Sequence, residues 1–280
     1  MSNKVFFGII IAAIVAGFAY MTITHMNRER SSLEFNSLSD IQKKGVIRVG
    51  IYEERKPWSY TIDDKSVGYN VDLANKIAED LGVKPEFVYI NSAERITALE
   101  ANTVDLVVAN LSITEQRKEK VLFTDPYLNT ELGIVKPVGM APLPDDLVDI
   151  DFNKIIVKRG SVAYNYIEDL YGFHADKLKV VENDIEAKTM LLSSDEYLML
   201  TDNTDSIAFG KNYPQLEAPI SHSFIGPEYP LAAAVHFGNE SLKNAVNKTM
   251  NNGDFLKTIY DKDLTTYLGS ENRSLFTVID

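Results

Sequence analysis

The stretch VDLVVANLSITEQRKEK, residues 104–120, decides how the rest of the chain is read. VDLVVA (104–109) is a near-continuous apolar run, suited to a parallel strand buried on both faces. A helix follows, with Thr114 placed to cap it and Glu115 in its first turn. Arg117 falls in that same first turn, where the helix dipole favours anions. It is either an ordinary surface charge or a guanidinium that, together with free backbone N–H groups, receives a carboxylate.

Upstream, VIRVGI (46–51) reads as a strand, and YEERKPWSYTIDDKSVGYNV as a hairpin turning at Asp63–Asp64. NVDLANKIAEDLG then places Val71, Ala74, Ile77, Ala78 and Leu81 on one helical face and stops at Gly82. KPEFVYI (84–90) is a strand, and Ser92 is expected to cap the helix AERITALEAN. Strands alternating with helices predict an open α/β sheet, whose ligands sit beyond the carboxyl ends of the strands. ANLSITEQR leaves a strand at such an end.

The rhythm repeats downstream. LGIVKP (132–137) is a strand and KIIVKRGSVAYNYIEDLYG a strand, tight turn and helix. KLKVVEN, DIEAKTMLLSS and YLMLTDN follow as strand, helix and strand. Gly160–Ser161 offers backbone donors and a hydroxyl to an anion, although the pattern alone is commonplace. Asp202 ends an apolar strand, either to meet an ammonium group or to serve as a turn or helix cap. Trp58, the only tryptophan, either walls a small-ligand pocket or packs in the core.

The chain has 280 residues, 40 acidic against 28 basic, a net charge of −12 and no cysteine. This excludes disulfides, thiol chemistry and a lipidated N-terminal cysteine, and it argues against a nucleic-acid partner. The four histidines are too scattered for a local metal pair. The usual hydrolase, zinc, P-loop and dinucleotide motifs do not occur, so no cofactor and no catalytic residue is expected. At the N-terminus, Val5 to Ile23 run without a charge, close to the about 20 residues that span a bilayer. GFA at 17–19 is an imperfect cleavage site, so the expectation is an uncleaved anchor rather than a signal peptide.

GYNVDLANKIAEDLG (68–82), VDLVVANLSITEQRKEKVLFTDPYL (104–128), KRGSVAY (158–164) and NNGDFLKTIYDKDL (251–264) together resemble the solute-binding proteins of polar amino-acid ABC transporters, in the family's order. The resemblance implies the two-lobed type II periplasmic-binding-protein fold: open, mostly parallel sheets joined by two crossing strands that close on one amino acid. With the apolar N-terminal run and the polar connector after it, the chain divides into an anchor or signal (1–26), a linker (27–38), a first lobe (39–136 and 229–280) and a second lobe (137–228). By position, Arg117 matches the arginine that grips the ligand's α-carboxylate, helped by Ser112 and the backbone around Asn110. Asp202 matches the acceptor of the α-ammonium group, and Ser161 with the Val162 N–H the second-lobe carboxylate contact. Asn70 replaces the family's usual acid, which we read as a helix-cap change. Tyr52 and Arg55, in the loop YEERKPW, are expected with Trp58 to shape the side-chain end of the site. TDNTDSIAF, YPLAAAV and YLGSENRSLFTVID look more like cysteine- and cystine-type members. The resemblance implies a monomeric, non-enzymatic protein of the cell envelope that hands its amino acid to a permease. The alternatives are an enzyme similar to the cyclohexadienyl dehydratases, or a sensor ectodomain.

Overall fold

In the computed structural model, the described residues are 35–143, 149–172, 177–218, 228–275 and 277–278. The predicted anchor lies outside them. Among the described residues no helix is long and apolar enough to cross a membrane.

The body that begins at Asn36 opens with helix α1 (Leu38–Lys44), capped by Ser37. Strand β1 (Val46–Ile51) leads to a hairpin of β2 (Tyr60–Ile62) and β3 (Lys65–Val67), with Asp63 and Asp64 both at positive φ in its turn. Helix α2 (Tyr69–Leu81) buries the expected face, Val71, Ala74, Ile77, Ala78 and Leu81, and ends at Gly82 in the left-handed conformation. Each wholly buried Ile or Leu of this kind contributes about 1.5–3 kcal/mol relative to exposure. Next come β4 (Lys84–Tyr89), α3 (Glu94–Glu100), β5 (Leu106–Ser112), the single turn α4 (Glu115–Lys118) and β6 (Val121–Thr130).

The second sheet holds β7 (Leu132–Pro137), β8 (Ile155–Lys158), β9 (Lys179–Val181), β10 (Leu198–Asp202) and β11 (Leu216–Glu217). Its helices are α5 (Val162–Tyr171), α6 (Asp184–Ser193) and α7 (Asn203–Asn212). The chain returns to the first sheet with β12 (Tyr229–His236). It ends with α8 (Glu240–Met250), α9 (Gly253–Ile259), a wide turn over Tyr260–Thr265, α10 (Thr266–Leu268) and β13 (Thr277–Val278).

The strand orders are β13-β6-β12-β5-β1-β4 and β11-β7-β10-β8-β9. In each sheet the strands that carry helices pair in parallel, β5-β1-β4 and β10-β8-β9, and the others pair antiparallel. The sheets are therefore mixed. The strand 132–137, of which 132–136 are assigned above to the first lobe, pairs with β10 and β11 in the second sheet. The chain changes sheets at Glu131, because Leu132, Ile134 and Val135 bury their side chains in the second lobe's core.

Helix α7 docks on that crossing. Asn203 N–H donates to the Glu131 carbonyl at 2.8 Å and Thr130 Oγ1 to Asn203 Oδ1 at 2.8 Å. A β-carbon at Gly133 would stand 2.7 Å from Asn203 Cα and 2.6 Å from Ser206 Oγ, so only glycine lets the helix approach so closely. Gly133→Ala is expected to cost about 1–3 kcal/mol by overpacking. An unchanged denaturant midpoint would refute that close fit.

A second test concerns Asp263. Burial and the neighbouring Asp72 push its carboxyl up to about 6, above the ordinary 3.8. The native state therefore holds that proton more tightly than the unfolded chain. The resulting stabilisation is complete below about pH 4 and is lost as pH rises through about 6. Asp263→Asn should raise the melting temperature at pH 7.5 and change it little at pH 4; equal shifts at both would contradict the assignment.

Candidate functional site

The carboxyl ends of β1 and β5 in the first lobe face those of β8 and β10 in the second. Tyr52, Asn110, Ser112, Lys158 and Asp202, carried there by these ends, line one narrow internal cavity of about 10 Å³. Ser161 and Val162 line it from the start of α5. A wider cavity of about 330 Å³ adjoins it, sharing Tyr52, Arg55, Ser92 and Lys158.

Thr114 caps α4 as expected, its hydroxyl accepting from Arg117 N–H at 3.3 Å. The helix is only four residues long, so its first and last turns coincide and the dipole argument loses its force. Burial distinguishes Arg117 instead: it is 7% exposed, which removes the surface-charge reading. Nη1 donates to the Ser112 carbonyl at 2.7 Å and Nη2 crosses the cleft to the Gly160 carbonyl at 3.0 Å. Arg95 meets the same Gly160 oxygen at 3.0 Å and also donates to the carbonyls of Ser92, Ala109 and Asn110. Neither arginine is ion-paired with a carboxylate among the described residues. Burial, reinforced by the charge of Arg95, pushes the Arg117 guanidinium down to about 9.

Asn110 adopts φ +46, a left-handed conformation that Asn tolerates better than most residues. Its Oδ1 accepts from Asn70 Nδ2 at 2.8 Å, while its own Nδ2 is buried with no partner among the described residues. Asn70 therefore does not cap α2; Gly68 holds the cap position and Asn70 braces the cleft floor. Trp58 is wholly buried in the first lobe's core, edge-on to Tyr69 at 5.6 Å, and lines neither cavity. The packing alternative holds there, because Pro57 and Trp58 carbonyls accept from the start of α2 and draw the indole inward. Ser92 is not a cap either. Asn91 Oδ1 accepts from the N–H groups of Ala93 and Glu94, leaving Ser92 Oγ 3.2 Å from Tyr52 Oη.

In the second lobe Gly160 has φ +70 and Ser161 caps α5, accepting from Tyr164 N–H at 3.1 Å. A β-carbon on Gly160 would meet Ala93 Cα of the opposite lobe at 2.9 Å. Asp202 stands at the cap position of α7 but makes no capping bond. Its carboxylate lies 3.8 Å from Arg55. Arg55 crosses from the first lobe to pair bidentately with Asp205 and stacks 4.3 Å over the Tyr52 ring. Lys158 pairs with Asp184 at 2.6 Å and with Asp205 at 3.5 Å.

The structure thus gathers Tyr52, Arg55, Asn110, Ser112, Arg117, Ser161, Val162 and Asp202 and leaves Trp58 aside. It adds Ser92, Arg95, Lys158, Asp184 and Asp205. Arg95 carried a sequence signal, since it shares the buried face of α3 with Ala98 and Leu99. Lys158, which ends the apolar strand IIVK, carried another. Asp184 and Asp205 sit in first turns of helices, where acids are ordinary.

The profile of the bacterial extracellular solute-binding proteins, family 3, matches residues 47–262. An L-arginine-binding protein of Pseudomonas aeruginosa is 29% identical over 78% of this chain and 82% of its own. A membrane-bound lytic murein transglycosylase F of Idiomarina loihiensis is 31% identical over 60% of this chain, but over only 38% of the enzyme. Among solved structures, the solute receptor for L-cysteine of Neisseria gonorrhoeae superposes with a TM-score of 0.78 at 28% identity, covering 87% of this chain and all of that one. With two lobes facing each other across strand ends and a profile spanning both, the chain belongs to the bacterial extracellular solute-binding proteins of family 3.

Proposed function

We propose that the chain captures one polar amino acid between its lobes and delivers it to the permease of an ABC transporter. The observation that carries this is the pair of buried arginines, Arg95 and Arg117, which have no carboxylate partner among the described residues and share the acceptor Gly160 O across the cleft. A ligand α-carboxylate supplies the missing charge. Arg117 grips it, with Ser112, the unpartnered Asn110 Nδ2 and the Ser161–Val162 turn as further contacts, and Asp202 receives the α-ammonium group.

The hinge of this reading lies at Glu131, between β6 and β7, so the lobe boundary falls at 131 and not at 136. The protein acts as a monomer on the outer face of a membrane, held there by residues 5–23. A non-enzymatic role is favoured because two of the more buried acids near the cavities, Asp184 and Asp205, are tied to Lys158 and Arg55. Burial opposes ionisation of Asp184, but Lys158 and Arg55 outweigh it and hold its carboxyl below the ordinary value, so it is no ready proton donor. Turnover of prephenate or arogenate by the purified chain would instead support the dehydratase alternative.

Calorimetric titration against the amino acids tests the site. Arg117→Ala strands a desolvated carboxylate and should cost about 2–5 kcal/mol of binding, with Arg117→Lys intermediate because it keeps charge but loses the planar fork. Asp202→Asn should weaken binding as well. Parent-like affinity in Arg117→Ala would place the site elsewhere.

Closure gives an independent test. Gly160→Ala adds a methyl where the lobes touch, on a residue whose left-handed backbone costs an alanine about 1 kcal/mol. Ligand affinity should fall at least about tenfold, which is 1.4 kcal/mol, with the radius of gyration in solution remaining that of the open form at saturating ligand. Ligand-induced compaction equal to the parent's would show that the contact does not govern closure.

A further inference from the structure

The amino acid proposed above meets two cavities. Asn110, Ser112, Ser161, Val162 and Asp202, which receive its α-carboxylate and α-ammonium groups, line the narrow one. Arg117 lines neither and joins that wall through its bond to the Ser112 carbonyl. Tyr52, Arg55, Ser92 and Lys158 line both cavities, so the two meet at these four side chains. A ligand side chain that leaves the narrow cavity for the wider one has to pass them.

All four are buried, and each is pinned. Tyr52 Oη and Ser92 Oγ lie 3.2 Å apart, Arg55 Cζ lies 4.3 Å from the centre of the Tyr52 ring, and Lys158 holds Asp184 at 2.6 Å. Arg55 is fixed further by its bidentate pair with Asp205, whose Oδ2 also accepts from Thr201 Oγ1 at 3.2 Å. Tyr52, Arg55 and Ser92 belong to the first lobe and Lys158 to the second. A side chain long enough to reach the wider cavity therefore lies between the lobes as they close, and it holds Arg55 off Asp205. That leaves the Asp205 carboxylate, 3% exposed, with only Lys158 at 3.5 Å. Taking one partner from a buried pair is strongly unfavourable. A side chain that stops short of the four leaves the pair intact and meets the hydroxyls of Tyr52 and Ser92.

Beyond these side chains the wider cavity is lined by Glu53, Glu54, Glu94, Glu182 and Asp184. Carboxylates in that number suit the cationic end of a long side chain. Arginine would gain most from an open passage, which makes it the most searching competitor.

We propose that Tyr52, Arg55, Ser92 and Lys158 form a partition that restricts the site to a polar amino acid whose side chain ends at its γ atom, a hydroxyl or a thiol. Longer side chains, cationic ones included, are shut out. This rests on the amino-acid-binding reading above, to which it adds the length of the side chain.

The test is calorimetry on the full chain in detergent with the common protein amino acids and L-cystine. Serine, threonine or cysteine should bind tightest, with glutamine, arginine and cystine at least about tenfold weaker than the best of them. Any other amino acid binding tightest, or any of those three long ones coming closer than about tenfold, overturns the proposal and leaves amino-acid binding intact. No amino acid binding at all overturns the underlying reading with it. Arg55→Ala and Tyr52→Ala each open the partition, so the affinity for arginine relative to the best short ligand should rise at least about tenfold. An unchanged ratio in the folded variants overturns the partition. Arg55→Ala also strands Asp205, whereas Tyr52→Ala keeps the ion pair, and the panel on the parent decides by itself where either variant folds poorly.

Discussion

One carbonyl oxygen organises this molecule. Gly160 O, on the turn between β8 and α5, accepts from both Arg95 and Arg117 across the cleft. Two guanidiniums converge there only because each is anchored elsewhere, Arg95 by the carbonyls around the left-handed Asn110 and Arg117 by Ser112. A single neutral acceptor between two buried cations is a weak electrostatic answer, and a carboxylate in the same place is a strong one. The lobes therefore gain most from closing when an anion lies between them, and this is the physical content of the proposed capture.

The same logic explains why the backbone is unusual where it is. Asn110 at φ +46 and Gly160 at φ +70 face each other from opposite lobes. The first directs consecutive carbonyls towards Arg95, and the second lets its turn approach Ala93 closely enough to be shared between lobes. Behind them, Asn70 braces Asn110 from α2, and Gly133 lets α7 press against the crossing at Glu131.

The second interlobe contact differs in kind. Arg55 reaches Asp205 and comes near Asp202 and Asp184, while Lys158 shares Asp184 and Asp205. Breaking a buried network of this sort by removing one partner is costly, whereas its net contribution to stability is small, because desolvation offsets most of the attraction. Its consequence is local: Arg55, Arg95 and Lys158 crowd Tyr52 and hold its phenol below the usual value in spite of burial.

Much of the fold was legible in local pattern. The helical face of α2, the Asp63–Asp64 turn, the Thr114 cap and the strand, turn and helix around Gly160 follow from periodicity and turn chemistry, which act over a few residues and leave their mark in the sequence. Arg117, Asp202 and Ser161 were singled out by the resemblance to a family, and the structure brings all three to the cleft. What tertiary structure alone decided is everything that depends on distant segments meeting. Leu132–Pro137 reads as a strand in any sheet, and only pairing with β10 assigns it to the second. Trp58 had two sound local readings, and packing against α2 chose between them; Ser92 read only as a cap, and the structure sets its hydroxyl beside Tyr52 instead. Arg55 and Asp205 are 150 positions apart. Their pairing exists only once the two lobes face each other, because an ion pair between distant segments is a property of the assembled structure and no window of sequence contains it.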